Sequence, residues 1–547
     1  MTLTMTRLNK LPRLRLASWL MAGAIALGMI TRLVSALRYT TFDIGPAPDQ
    51  IRDAFLYMDM LQGRLPTLGP ASSVGGYSLP PLYYFLVFPV TLLSRSLTLQ
   101  VLPNALFSLL SIPLFSWLVY RLLAETPQRR LLAALAGLWY SALFPYIFIS
   151  NFEWNPVPVP CFLFAFVLLI DYQFSHRQIG TRQRLAWALY GAVTAVLVSL
   201  HSTTLFVMPV VYAGSLLCFI WLTRKRAAQW QMPALSLLVA LLTLLPYWYG
   251  EMTRGFANTK QIARTILDSS DRPAAGLLTR LGRMAYNYLE LGWQVYVSSG
   301  TGQIWLGGIL ALLVLLAVWR LRNTAINSAI WLSLLAIWAV YLYAASNYTE
   351  AYAFHYKLLI FFAPIVLTMA VLSRLSWQKP LQRLAIGLLS GFIAVSLLSN
   401  LWQDAAFLNS KFGAHRVMTT GDLTTLVAAL PAETVLCDAR YERWREQYHA
   451  VDYISTYLRP KPLRLVQTCS AGSYLIYPKS LYLFAENNLW PALTVASVQP
   501  LAAPAELVKE TAVARVYRLR QAFEPTRCQT YVGDFYQGMT CSNLIAH

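Results

Sequence analysis

Asp49, Arg52 and Asp53 stand in GPAPDQIRDAFLYMDM, where the sequence sets a carboxylate pair beside a cation at the edge of hydrocarbon. Read as a helix from Gln50, the stretch places the three at i, i+3 and i+4, on one face. Ile51, Phe55 and Met58 fall at i, i+4 and i+7 on another face, the pattern of a helix lying in the membrane interface. A carboxylate beside a bound hydroxyl serves as a general base, and a cation stabilises a departing phosphate. Residues able to join such chemistry recur further on: Glu153 and Asn155 in NFEWNP, His201 in LHSTT, and Glu350, His355 and Lys357 in YTEAYAFHYKLL.

The elements that must position them are membrane spans. The 547 residues are 57% hydrophobic and 12% charged, against roughly 25% charged in soluble domains. Apolar runs of about 17–25 residues, enough to cross a bilayer, fall at about 17–37, 100–122, 131–150, 157–173, 186–201, 203–222, 233–249, 302–319, 326–346, 357–373 and 384–402. The first run resembles a secretory signal but shows no clear small-x-small cleavage site, so it reads as a retained anchor. Pro80–Leu93 is short for a span and reads as re-entrant or interfacial.

Charge sets the orientation. Arg7–Arg15, Arg121/Arg129/Arg130, Arg177/Arg182/Arg184, Arg224/Lys225/Arg226, Arg320/Arg322 and Arg374/Lys379/Arg383 sit in gaps on one side, with a tight turn at His201–Ser202 closing one pair of spans. Such clusters are cytoplasmic under the positive-inside rule. They account for most of the net charge of +20, which therefore argues no nucleic-acid partner. The expected protein lies in the cell (inner) membrane with a cytoplasmic N-terminus. Its exoplasmic parts are loop 38–99, loop 250–301 and a tail from 403 to 547. Within 250–301, Leu277, Leu281, Met284, Tyr288 and Leu291 predict a second interfacial helix.

The fold class is thus a polytopic helical membrane domain, 1–402, with about 11 spans and interfacial helices. The tail adds a small α+β domain, since Thr434–Cys437 and Ser473–Tyr477 alternate with period two and helix is expected around Tyr441–Leu458. Cys437, Cys469, Cys528 and Cys541 lie in that tail. In an oxidising compartment they would pair, most simply 437–469 and 528–541.

Every polar candidate faces the exoplasmic side, whereas an ion-coupled transporter keeps ionisable groups at the midplane. Plainer roles exist for each. Asp49 after Pro48 could cap its helix, Arg52 could snorkel, Lys357 could anchor to headgroups, and Asn155 before Pro156 could be turn chemistry. Glu153 could be a solvated loop charge, and His201 and His355 ordinary hydrogen-bonded residues at span ends. Gly75-Gly76 reads as a turn. No Walker A, GxGxxG, HExxH or CxxC pattern is present. No cofactor is assigned, though the carboxylates leave room for a divalent metal.

At these residues the chain resembles the C-type membrane glycosyltransferases. The nearest branch is glycosyltransferase family thirty-nine, with the protein O-mannosyltransferases and lipid A aminoarabinose transferases, and here a bacterial subgroup of uncharacterised members. Asp49-Gln50-Ile51-Arg52 stands for the family's acid pair and following Arg, and Leu79-Pro80-Pro81-Leu82-Tyr83 for its juxtamembrane Lys-Pro-Pro-Leu-Tyr. WNP at 154–156, LH at 200–201 and FHY at 354–356 extend the likeness over about 10–400. The resemblance implies a sugar on a polyprenyl phosphate and a lipid, glycan or protein acceptor hydroxyl in a membrane-lipid setting, with inversion. Asp49 would be the base and Arg52 a phosphate ligand, with His201, His355 and Lys357 as further donor-phosphate ligands. Asp53, Glu153 and Asn155 become substrate- or metal-site candidates. Gln50 replaces the second acid and Leu79 the Lys. A lipid-linked glycan transporter or flippase, a polysaccharide ligase and a non-catalytic scaffold with an exoplasmic sensor tail are the competing readings.

Overall fold

In hydrocarbon a backbone must satisfy its own hydrogen bonds, so long apolar runs fold as helices. In the computed structural model each of the eleven apolar segments falls on helix. The structure describes residues 11–39, 48–72, 75–123, 126–176, 180–267, 276–297, 304–321, 327–346, 354–414, 416–437, 450–461, 463–466, 469–483, 494–497 and 505–522. Glu350, Cys528 and Cys541 lie outside these.

Among the described residues, six helices are long and apolar enough to cross a membrane: Arg15–Val34, Leu97–Leu122, Thr181–Leu200, Ser202–Leu222, Ser328–Ala345 and Pro380–Phe412. A seventh is Ala228–Thr243 with Leu245–Thr253, bent by 58° beside Pro246, whose ring cannot continue the helical ladder. The other expected spans are shorter or broken. The run 131–150 divides into Arg129–Ser141 and Phe144–Ile149, with Asn400 Oδ1 accepting from the freed amide of Phe144 at 2.8 Å. The run 357–373 starts on the last residue of the single turn Phe354–Lys357 and holds the helix Ala363–Leu372. Leu82–Thr91 has ten residues, about 15 Å of helix against a hydrocarbon core of about 30 Å.

Polar anchors hold the bundle together. Arg121 Nε meets Asp171 Oδ2 at 2.8 Å, and Asn327 donates to the other oxygen at 2.6 Å. The fully buried Arg32 donates to Ser108 Oγ (2.8 Å) and the Ser141 carbonyl (3.0 Å). Lys411, on the last long helix, donates to the Ser35 carbonyl and to Asn151 Oδ1, both at 3.1 Å. That helix runs past Trp402 to Phe412, so the expected boundary at 402/403 falls inside continuous helix. Gly191 allows Thr181–Leu200 to cross Gln231–Thr243 closely, for a Cβ there would stand 2.1 Å from the Ser236 carbonyl oxygen.

Residues 69–79 fold back on themselves through Gly69 N to Leu79 O (2.7 Å) and Leu79 N to Pro70 O (2.9 Å). The reversal is at Gly75 and Gly76, with φ of 81° and 63°, values that favour glycine. The second loop holds this turn: Gln261 donates to the Gly75 carbonyl at 2.8 Å, and Asn258 brackets Ser78.

The tail is α+β. Its five-stranded sheet has the order β2-β1-β3-β7-β6, built from β1 (Val435–Cys437), β2 (Arg464–Val466), β3 (Tyr474–Pro478), β6 (Ala505–Glu510) and β7 (Ala514–Leu519). β1 runs parallel to β2 and β3, and the other pairs are antiparallel. β4 (Ser480–Leu483) and β5 (Thr494–Ser497) form a separate pair. Cys437 and Cys469 are joined in a disulfide. One apolar core continues from the spans into this tail through Phe407, Val417, Leu423 and Tyr453.

Candidate active site

The site helix is Pro48–Leu61. Proline suits its first turn, where no amide partner is required, and Asp49 is favoured there by the helix dipole. Arg52 lies between two carboxylates: Nη1 is 2.8 Å from Asp49 Oδ1, and Nε donates to Asp53 Oδ1 at 2.8 Å. Asp49 is 41% exposed, Arg52 22% and Asp53 fully buried. Access therefore falls away along one face within a single turn.

The apolar face differs from expectation. Ile51 and Met58 are buried in the protein core, and Phe55 packs against Tyr453 and Tyr457 of the tail. Protein covers the face assigned to the membrane interface, because the tail domain folds over the first loop.

A further carboxylate joins the cluster from the segment between Phe144–Ile149 and Val159–Ser175. Glu153 is buried, and its Oε1 accepts from the hydroxyls of Tyr57 and Tyr83, both at 2.6 Å. The neighbouring Tyr84 donates to Asp53 Oδ1 at 3.0 Å. Consecutive residues of Leu82–Thr91 thus hold the two buried acids, one each. Asn104 supports this from the following span, donating to Tyr83 Oη (3.0 Å) and to the carbonyls of Phe152 (2.9 Å) and Trp154 (3.0 Å). Asp53 Oδ2 and Glu153 Oε2 accept no hydrogen bond among the described residues. Burial pushes Asp53 up to about 6, against the opposing pull of Arg52, and Asp49 adds to the rise. Burial, reinforced by the charge of Asp53, raises Glu153 well above the usual carboxylate range. Buried acids crowded together hold protons that exposed ones release.

The same loop reaches the histidines. Trp154 packs on His355 with ring centroids 4.5 Å apart, and Asn155 Nδ2 donates to the Leu200 carbonyl. His201 and His355 meet edge-on at 5.6 Å, with Tyr356 at 5.1 Å from His201. His201 breaks the helix between Leu200 and Ser202, and its Nδ1 accepts from the Thr203 amide at 3.3 Å, capping Ser202–Leu222. Burial pushes His201 down to about 3 and His355 well below its ordinary value, so both rings are neutral at pH 7.

Lys357 is on the turn that carries His355, but its ammonium is paired with Glu290 and donates to Gln294, fully buried. The structure thus brings Asp49, Arg52, Asp53 and Glu153 into one group and links His201, His355 and Asn155 to it through Trp154. Lys357 stands in an ion pair of its own. Sequence reasoning missed Tyr57, Tyr83, Tyr84, Asn104 and Glu290. PPLYY was visible, but nothing in it distinguished tyrosines that bind acids from interfacial ones. Among the described residues, no group of three or more His, Cys, Asp and Glu is placed to hold a metal ion.

The chain shares its overall fold with solved membrane proteins. It is similar to ArnT from Cupriavidus metallidurans, solved bound to undecaprenyl phosphate, at 15% identity over 91% of this chain and 97% of that one, with a TM-score of 0.50. The apo form of the same ArnT aligns at 14% identity over 90% and 96%, TM-score 0.50. The oligosaccharyltransferase AglB from Archaeoglobus fulgidus aligns at 13% identity over 81% of this chain and 64% of its own, TM-score 0.45. No protein-family model matches the chain, and no curated protein matches it in sequence.

Proposed function

We propose that this chain is a membrane glycosyltransferase that moves a sugar from a polyprenyl-phosphate-linked donor to an acceptor hydroxyl at the exoplasmic face of the membrane, with inversion. The observation that carries the reading is Arg52 held between Asp49 and Asp53, next to the buried Glu153. The solved ArnT that shares the fold holds undecaprenyl phosphate. In this reading Asp49, the accessible acid, takes the acceptor proton as the new glycosidic bond forms. The anomeric carbon–phosphate bond breaks on the opposite face. Arg52 attracts the leaving phosphate, its charge kept in place by Asp53. Tyr57 and Tyr83 orient Glu153, which burial and the charge of Asp53 favour as a neutral acid able to donate a hydrogen bond to the sugar. His201 and His355, both neutral, offer hydrogen bonds to the donor phosphate or to the sugar, and Asn155 sets the His201 turn. Lys357, neutralised by Glu290, fixes the His355 segment.

The direct test supplies the purified protein in lipid nanodiscs with undecaprenyl phosphate bearing a radiolabelled sugar, plus native envelope lipids, glycans and proteins as acceptors. Acceptor-dependent release of undecaprenyl phosphate is expected. Label that stays on the lipid with every acceptor, or that only crosses the bilayer, would overturn the reading.

A pH profile adds to it. Asp53 must be ionised to hold Arg52, and its carboxyl titrates at about 6. Turnover should be flat above that pH and fall as pH drops through about 6. Asp53→Asn should remove that limb and leave a low rate insensitive to pH there. An unchanged acid limb in Asp53→Asn assigns it to another group.

Orientation is equally testable. A reporter fused after Gly413 should be exoplasmic and one at Lys225 cytoplasmic; the reverse would place the site on the wrong side for a lipid-linked donor.

A further inference from the structure

The Cys437–Cys469 disulfide closes a loop with a sequence separation of 32, and the helix Ala450–Tyr457 lies within it. Ser455 Oγ accepts from the Leu463 amide at 2.5 Å, and Arg459 donates to the Leu430 carbonyl at 3.1 Å, fixing the helix to its own domain. On its other side the helix meets the membrane domain at the back of the site. Tyr453, fully buried, sets its ring edge-on to Phe55 at 5.4 Å, and Tyr457 does so at 5.7 Å. Phe55 is two residues past Asp53, on the helix that carries Asp49 and Arg52.

The Tyr453 hydroxyl makes a second attachment. It donates to the Arg95 carbonyl at 2.8 Å and accepts from Gln100 Nε2 at 3.2 Å. Gln100 leads into the helix Leu102–Leu122, whose Asn104 holds the Glu153 loop. One phenol therefore touches both supports of the acid cluster, the site helix through Phe55 and the Asn104 span through Gln100. The site helix has 14 residues, a length at which helices depend on tertiary packing for their stability. Displacing such a support by about 1 Å costs an enzyme on the order of a hundredfold in rate.

We infer that the disulfide-closed loop of the tail acts as a brace that positions the site helix, with Tyr453 as the positioning residue. Its catalytic consequence rests on the glycosyl-transfer reading; the brace itself does not.

The test uses the full-length protein in nanodiscs and follows amide hydrogen exchange over residues 48–61. Tyr453→Ala should raise exchange there about tenfold or more, while amides of Thr181–Leu200 stay protected. Tyr453→Phe, which keeps the ring on Phe55 but loses both hydrogen bonds, should give a smaller rise. Cys437→Ser should raise exchange over 48–61 as well. In the transfer assay Tyr453→Ala should lower kcat about tenfold with KM for the donor within about twofold, the split expected when orientation is lost and not binding. Unchanged exchange over 48–61 in Tyr453→Ala overturns the brace. If Tyr453→Ala unfolds the whole chain, Tyr453→Phe decides, and no rise in that variant overturns it. Raised exchange in a protein that transfers no sugar leaves the brace standing and removes the enzymatic reading.

Discussion

Asp49→Asn is expected to lower turnover by about 10²–10⁴-fold, the usual contribution of a general base. Three acids crowd the site, and their surroundings divide the work. Glu153 is buried beside Asp53, which raises it well above the usual carboxylate range against the opposing pull of the two phenols on its one oxygen. Asp53 is buried against Arg52 and Tyr84, and losing it would leave the guanidinium held by Asp49 alone. Asp49 alone of the three is substantially exposed, so an acceptor hydroxyl can reach it. The amide keeps the shape and removes only the basicity. The Asp49–Arg52 pair is partly solvated, and pairs of that kind contribute about 0–1 kcal/mol. Thermal unfolding of Asp49→Asn in detergent should therefore shift by no more than a few degrees. Arg52→Ala should also depress turnover but raise KM for the donor, since a cation on phosphate acts before and during bond breaking. Near wild-type turnover in Asp49→Asn with a verified donor and acceptor would reduce Asp49 to a helix cap and move the base to Asp53.

What the sequence disclosed follows the range of the interactions involved. Asp49, Arg52 and Asp53 were legible as a unit because helical spacing is local, and the structure pairs them as the spacing requires. The tyrosines on the buried acids were not legible. Tyr57 and Tyr83 stand 96 and 70 residues from Glu153, and no local pattern encodes such a pairing. The apolar face of the site helix was misread for a different reason: periodicity reports that a face is covered, not whether lipid or protein covers it. Phe55 would look the same on a bilayer as on Tyr453. The strands around Thr434–Cys437 and Ser473–Tyr477 were visible by alternation, whereas the order β2-β1-β3-β7-β6 depends on contacts across the whole tail. Lys357 read as a donor-phosphate ligand, or more plainly a headgroup anchor, because its partner Glu290 is distant in sequence and no local spacing joins the two.

That ion pair yields the second large effect. Lys357 and Glu290 are both fully buried, with side-chain exposures of 0% and 1%. Removing one member of such a pair leaves an uncompensated charge, at a cost of about 3–5 kcal/mol. Lys357→Met and Glu290→Leu should each lower the unfolding temperature in detergent markedly and reduce yield. The double variant Lys357→Met/Glu290→Leu replaces both charges with apolar groups of comparable size, a change that is often neutral or even stabilising by about 1–4 kcal/mol. It should recover the unfolding temperature of the unmodified protein. In the glycosyl-transfer reading, with its charge spent on Glu290, Lys357 bears on turnover by holding the turn that carries His355. The double variant is accordingly expected to keep its KM for the lipid-linked donor within about threefold. A double variant that folds normally yet loses donor binding by about tenfold or more would instead make Lys357 a ligand of the donor phosphate, released from Glu290 when the lipid binds.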